Sequence, residues 1–340
     1  MKALVKSIPK TGIWMEETPE PICDSNNVKI KITHTAICGT DLHIYKWDDW
    51  AQRTLKLPLI IGHEFCGIIE EVGPSVTHYK PGQRVSGEGH ITCKFCRNCR
   101  AGKRHLCEFT KGVGVHRDGA FAEYIVMPES NIWLIDKSIP SEIASFFDPL
   151  GNAVHSALSY RVAGEDVLIT GAGPIGLMAV AICNFIGARN VVITDINEYR
   201  LKIAKKLGAS KTINITEKSI NDCYSELGIK SGFDIGLEMS GNSAAFNSML
   251  EHMYHGGKIA LLGLLPKSTI INWDNIIFKG LKLKGIYGRE MYETWYKMSE
   301  MINSGLDMSN IMTHKLSIDQ YQKAFDIMET GNCGKIVLEW

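Results

Sequence analysis

The run Gly171-Ala172-Gly173-Pro174-Ile175-Gly176 fits G-x-G-x-x-G, and its surroundings constrain the fold more than the glycines do. Ahead of it DVLIT is a short β-branched run that reads as a buried strand, and behind it LMAVAICNFIG reads as an apolar helix. A second strand, VVIT, ends in Asp195, 19 residues after Gly176. Strand, glycine turn, helix, strand and a terminal acid at about 20 residues make the layout of a dinucleotide site. Gly171 permits the tight turn, Gly173 lets a pyrophosphate approach the backbone, and Gly176 lets helix and strand pack closely. The helix N-terminus then offers unpaired N–H groups and positive dipole to the phosphates. Asp195 would accept hydrogen bonds from the ribose hydroxyls and repel a 2′-phosphate, which favours NAD over NADP. No Arg directly follows it; Arg200 lies a helical turn on and could flank the adenosine.

The same alternation continues. NEYRLKIAKKLG reads as an amphipathic helix closed by Gly208, and FDIGLEMSG, KIALLGLL and LKLKGIYG read as further strands. This is an α/β pattern: a doubly wound parallel sheet with helices on both faces. Before residue 150 the texture differs, with short β-rich segments (VKIKITHTAI, GHEFCGIIEEVGPSV, KPGQRVSGEG, GAFAEYIVMP) set between Gly/Pro turns, as in a small irregular barrel. After Gly288, METWYKMSEMINSG reads as a long helix. The tail HKLSIDQYQKAFDIMETGNCGKIVLEW reads as helix, turn and strand returning to the first domain. A chain of 340 residues has room for two such domains.

Ten cysteines need a compartment. MKALVKSIPKTGIW lacks the apolar core of a signal peptide, and no apolar run approaches the ~18 residues of a membrane span. The expectation is a reducing cytoplasm, where disulfides are rare. Cys93, Cys96, Cys99 and Cys107, spaced C-x₂-C-x₂-C-x₇-C, then read as a closed four-thiolate zinc site that braces a lobe. A ferredoxin-type cluster would need its fourth Cys after three residues and a following Pro; here Glu108 follows Cys107. Of the scattered cysteines, Cys23, Cys66, Cys183, Cys223 and Cys333 read as small buried hydrophobes. Lys94, Arg97, Arg100, Lys103 and Arg104 could make the lobe a nucleic-acid-binding ribbon, but Lys+Arg and Asp+Glu both total 37, and no aromatic platform accompanies them. A quieter grouping, Cys38 with His63 and Glu64, could give zinc three ligands and one open position. By spacing alone it is only suggestive, because a single Cys and a single His are as readily structural.

In chain order, Cys38-Gly39-Thr40-Asp41-x-His43, Gly62-His63-Glu64, the four cysteines at 93–107 and GAGPIG with Asp195 resemble the zinc-dependent medium-chain dehydrogenases over essentially the whole chain. Longer runs, among them TAICGTDLHIYKWDDW, VSGEGHITCKFCRNC, FFDPLGNAVHSAL and FKGLKLKGIYGREMYETWYKM, narrow the resemblance to members that act on L-threonine. It implies a GroES-like β-rich catalytic domain over 1–147, a Rossmann NAD-binding domain over 148–290, and a segment 291–340 returning to the first. It also implies a cytoplasmic homotetramer, with no nucleic-acid or membrane partner. Two zinc ions per subunit are implied, a catalytic one on Cys38, His63 and Glu64 and a structural one on the four lobe cysteines. Where liver-type alcohol dehydrogenases place a second cysteine ligand, this chain has Asp148, expected to hold the network around the metal rather than ligate it. The family's NAD contacts fall on Ile175, Asp195, Arg200, Leu262-Gly263-Leu264, Ile286 and Tyr287.

The implied reaction is oxidation of the L-threonine side-chain hydroxyl by NAD⁺ to L-2-amino-3-oxobutyrate and NADH. Zinc serves as Lewis acid, and Thr40 and His43 carry the proton outward; an imidazole, titrating near neutrality, suits the outer end. A polyol or other secondary-alcohol dehydrogenase of the same family would share all of these parts. An amino acid also needs partners for its ammonium and carboxylate; Glu88, His90 and Arg289 are charged or titratable, and the sequence aims none of them. A downstream enzyme consuming the unstable keto product is a further expected partner.

Overall fold

The computed structural model describes all 340 residues. The N-terminal half is built on β1 (Asn27–Ala36), whose apolar residues fall at every second position. That alternation turns Val28, Ile30 and Ile32 into a core with Phe65, Ile69, Val85, Ile125 and Ile132 and leaves Lys31 in solvent. Around β1 lie β2 (Phe65–Val72), β3 (Arg84–Gly87), β4 (Tyr124–Pro128) and β5 (Ile132–Leu134). Helix α1 (Gly39–Lys46) leaves the end of β1 with Cys38 at its N-cap, and α2 (Phe147–Ala157) leads out of this half.

The nucleotide-binding half is a six-stranded parallel sheet: β6 (Asp166–Thr170), β7 (Asn190–Asp195), β8 (Lys211–Asn214), β9 (Phe233–Glu238), β10 (Met253–Leu261) and β11 (Lys282–Gly285). Its spatial order is β8-β7-β6-β9-β10-β11, the doubly wound arrangement whose direction reverses beside β6. The strands anticipated at DVLIT and VVIT are β6 and β7, and Ile169 stands opposite Ile193. Helices α3 (Pro174–Phe185) and α4 (Glu198–Lys206) carry the chain across.

Helix α5 (Glu293–Asn303) packs on α2, and the chain then returns through β12 (Met312–Ser317), α6 (Tyr321–Thr330) and β13 (Lys335–Glu339). β13 pairs antiparallel with β1, with Val337 opposite Ala36, and parallel with β12. The return of the tail was legible; β12 was not, because MTHKLS lies half in solvent and shows no apolar run. One core of 39 buried residues runs from the parallel sheet through Phe147, Leu150 and Val154 of α2 to Ala36, Cys66 and Val337 of the antiparallel sheet. The first half is thus fixed against the second by packing, not by a linker. Cys23 corrects an expectation: it is half-buried, its Sγ donating to the Asn27 carbonyl at 3.3 Å, while Cys66, Cys183, Cys223 and Cys333 are buried. No helix is long and apolar enough to cross a membrane.

Candidate active site and metal centres

Cys38, His63 and Glu64 come together because β1 and β2 are neighbours: Cys38 follows the end of β1, and His63-Glu64 precede the start of β2. Their ligand atoms lie within 4.8 Å of one another. Gly62 makes the approach possible, with φ +90° and no room for a side chain, since a Cβ would stand 2.1 Å from the Phe121 ring. Glu64 is 1% exposed; Oε2 pairs with Lys335 of β13, while Oε1 is buried without a partner. Asp41 accepts the Cys38 N–H at 2.9 Å through Oδ2, and its Oδ1, also buried and unpartnered, faces His63 Nδ1 at 4.0 Å. A thiol, an imidazole and an orphaned carboxylate oxygen at this spacing fit a zinc ion. Burial opposes a charge on His63, but the facing Cys38 sulfur, Asp41 and Asp148 outweigh it and hold the ring well above its ordinary value. The set therefore attracts a cation.

Asp148, in the first turn of α2, stands beside this group. The backbone at Gly89 runs between them, and a Cβ there would lie 3.3 Å from Asp148 Oδ2 and 3.6 Å from His63 Cβ. Arg289, wholly buried, pairs with both Asp148 and Glu88 and donates to Asn152 Oδ1 at 3.2 Å. Glu88 also accepts the Trp295 indole N–H at 2.8 Å and the His90 backbone N–H at 2.9 Å. The three groups left unaimed by the sequence are engaged with one another: Glu88 pairs with Arg289 out of solvent, and His90, its side chain 29% exposed, lies with Nδ1 3.3 Å from Glu88 and 3.4 Å from Arg289. Its ring lies 6.0 Å from that of Tyr287.

Thr40 and His43 sit three residues apart on α1, on one face. The Thr40 hydroxyl is 4.0 Å from Cys38 Sγ; His43, 59% exposed, bonds through Nδ1 to Asp48, which also caps the next helix by accepting from Trp50 N and Ala51 N. Asp48 and Lys335 are the residues that the sequence did not point to, and Asp41, present in the Cys38 motif, had no role assigned there. The available signals were a DD pair after the Cys38 motif and a lysine opening the apolar strand KIVLE.

At the glycine turn, Gly171 has φ +91°, and a Cβ on Gly176 would lie 1.9 Å from the Gly171 carbonyl oxygen. The turn closes on Gly176 itself, a tighter demand than helix–strand packing. A Cβ on Gly173 would meet nothing within 4 Å, so the space above the N-terminus of α3 is open, and no side chain caps that helix. Ile175 follows, half-buried, in its first turn. Asp195 accepts the backbone N–H of Ala172 at 2.6 Å and of Ile196 and Asn197 at 2.8 Å, which ties the end of β7 to the turn. Arg200 points instead toward the tail, where Gly331 and Cys333 are its neighbours. Leu262 and Gly263 both donate to the Glu238 carbonyl at 3.0 Å, Leu264 is exposed, and Ile286 N–H donates to Leu261 at 2.8 Å with Tyr287 exposed beyond it. The sheet's carboxyl ends thus gather these segments on one rim.

In the lobe, the four cysteine sulfurs lie within 4.8 Å of one another. Cys107 Sγ accepts from Cys93 N and Phe109 N at 3.3 and 3.4 Å; against burial, those N–H groups pull its thiol down to about 6. Burial and the adjacent thiols push Cys99 up to about 12, so the four cannot all ionise without a cation among them. That donor set fits zinc with no open position. Lys94, Arg97, Arg100, Lys103 and Arg104 are exposed.

Residues 24–137 match the alcohol dehydrogenase GroES-like domain, and residues 174–304 match the zinc-binding dehydrogenase domain. The chain belongs to the zinc-dependent medium-chain dehydrogenase family. Its relatives include an L-threonine 3-dehydrogenase of Marinomonas sp. (strain MWYL1), 60% identical over 340 residues and covering 100% of both chains. Another L-threonine 3-dehydrogenase, from Anaeromyxobacter dehalogenans (strain 2CP-C), is 56% identical over 341 residues, covering 100% of this chain and 99% of the relative. A solved short chain alcohol dehydrogenase from E. coli CFT073, complexed with NADH, superposes with TM-score 0.91 at 26% identity, covering 100% of this chain and 99% of that one.

Proposed function

We propose that the chain oxidises the side-chain hydroxyl of L-threonine to L-2-amino-3-oxobutyrate while reducing NAD⁺ to NADH. One observation carries this reading: thiol, imidazole and orphaned carboxylate converge within 4.8 Å in a chain whose relatives, alike over their whole length, are L-threonine 3-dehydrogenases. Cys38, His63 and Glu64 would hold a zinc ion, whose Lewis acidity makes a bound alcohol easier to deprotonate. NAD⁺, when bound, would supply the hydride acceptor; the E. coli relative was solved with NADH.

The chain's own residues set the stage for that transfer. Asp41 orients Cys38 and faces His63, and Lys335 balances the buried charge of Glu64. Thr40, two residues from Cys38, would accept the hydroxyl proton as its own proton leaves toward the outside, and His43 would take up the relayed proton and release it to solvent. Because Asp48 binds His43 at Nδ1, the ring's Nε2 is the nitrogen free to take that proton. Asp148, locked by Arg289, holds the network around the reacting hydroxyl as a fixed carboxylate. Asp195 retains acceptor capacity for the ribose hydroxyls and rejects a 2′-phosphate by charge. Ile175, Leu262, Gly263, Leu264, Ile286 and Tyr287 complete the NAD site, with Arg200 turned away toward the tail, and the lobe cysteines would hold a second, structural zinc. The proposal extends to domains at 1–147, 148–290 and 291–340, a cytoplasmic homotetramer and a downstream enzyme that removes the keto product.

Initial rates with NAD⁺ on L-threonine, sorbitol and 2,3-butanediol test the substrate. The expectation is a kcat/KM for L-threonine at least about 100-fold above either diol or polyol. A preference for sorbitol or butanediol would replace this reading with a polyol or secondary-alcohol dehydrogenase.

A further inference from the structure

A third cluster of metal-ligating side chains lies away from both sites described above. His105 comes from the cysteine lobe, His155 from α2 and Glu290 from the segment after β11, and their ligand atoms lie within 4.8 Å of one another. His155 is 7% exposed. Its Nδ1 donates to the Gly288 carbonyl at 2.9 Å, which leaves Nε2 of the neutral ring with a bare lone pair. That lone pair faces Glu290 Oε1 at 3.6 Å, so two acceptors confront each other with no donor between them. The His105 ring stands edge-on to His155, centroids 5.6 Å apart, and its Nδ1 is buried without a partner. A proton on His155 would satisfy the pair but leave His105 unexplained; a cation shared by all three satisfies the set.

We infer that His105, His155 and Glu290 form a third metal site, taking a borderline divalent ion such as Zn²⁺, Co²⁺ or Ni²⁺. Two imidazoles and one carboxylate select such ions over Ca²⁺ or Mg²⁺, which prefer all-oxygen shells. A carbonyl holding the far nitrogen of a ligating histidine is the usual outer-shell partner of a metal site. A cleft of about 90 Å³ lined by His155, Glu290 and Glu293 gives access, and Glu290 is 46% exposed at its mouth. Two lysines share that cleft, each bonded to another of its lining residues rather than to the histidines or Glu290: Lys284 to Ser159 at 3.2 Å and Lys297 to Glu293 at 3.0 Å. The position gives the ion a consequence. It ties the cysteine lobe to α2 and to Gly288-Arg289-Glu290, whose middle residue anchors Asp148.

The test counts zinc. Full-length protein already replete at its cysteine-containing sites is dialysed against Zn²⁺ at up to about 100 µM and analysed by ICP mass spectrometry, beside Glu290→Gln and His105→Ala. The expected result is one further equivalent in the wild type, bound at least about tenfold more weakly in each variant while the other zinc ions are retained. Glu290→Gln changes a half-exposed side chain, so it decides the matter if His105→Ala disturbs the lobe. A wild-type count that gains no equivalent, or a further equivalent held by Glu290→Gln as tightly as by wild type, overturns the assignment.

Discussion

At Cys38 the backbone and the side chain serve the same centre: the N–H is held by Asp41 while the sulfur faces His63 and Glu64. Outer-shell partners alone are worth roughly 10–100-fold in metal affinity or activity, so loss of the ligand itself costs more. Cys38→Ser therefore lowers turnover at least about 100-fold while NADH binding, read by fluorescence titration, survives; retained activity would remove Cys38 from the centre. Asp195 accepts three backbone N–H groups besides any ribose hydroxyl. Asp195→Ala is expected to weaken NAD⁺ by roughly 10–100-fold, the worth of a charge-assisted hydrogen bond, and to narrow its advantage over NADP⁺. An unchanged ratio of kcat/KM for the two cofactors would refute the ribose role. Both residues were legible in the sequence, one from its motif and one from its distance to Gly176. Asp48 and Lys335 were not, because each acts through a residue distant in the chain or across a turn that no local pattern encodes.

At the scale of elements, the lobe and the glycine turn show opposite economies. The lobe has only short strands and a four-residue helix, Arg97–Arg100, and few buried apolar groups, so its shape depends on the four sulfurs. Cys96→Ser should release its zinc and lower Tm by more than about 4 °C, with the metal at Cys38 retained; a variant equally stable but inactive would argue against a bracing role. The turn at 171–176 needs no such support, because β6 and α3 fix its ends and Gly176 fills the only space left by the Gly171 carbonyl. Strong local signals gave β6, β7, α3 and α4 near their true bounds. β12 escaped because its pairing with β13 is what makes it a strand, and pairing is not a local property.

At the scale of the molecule, Glu88, Asp148, Arg289 and Trp295 bind the two halves together from positions far apart in sequence. Burial alone would raise the Glu88 carboxyl, but Arg289 and the N–H donors of His90 and Trp295 hold it down to about 2 from an ordinary 4.5. A carboxylate depressed in this way stabilises the fold fully above its unfolded value, and that contribution is lost as pH falls from about 4.5 toward 2. Glu88→Gln should therefore be less stable than wild type by about 3 kcal/mol at pH 7. The difference should shrink in denaturant titrations repeated below pH 4.5; a gap independent of pH would discount the ion pair. By itself the sequence determined the nucleotide-binding architecture and the closed cysteine set, because spacing along a strand, turn or knuckle fixes those relations locally, whereas Cys38, His63 and Glu64 meet only through the pairing of β1 with β2. Only the tertiary structure decided that Arg289 pairs with Asp148 and Glu88 out of solvent, that Arg200 turns toward the tail, and that His105, His155 and Glu290 converge. Each of these depends on which distant segments pack together, and that is set by the shared core rather than by any neighbour in the chain.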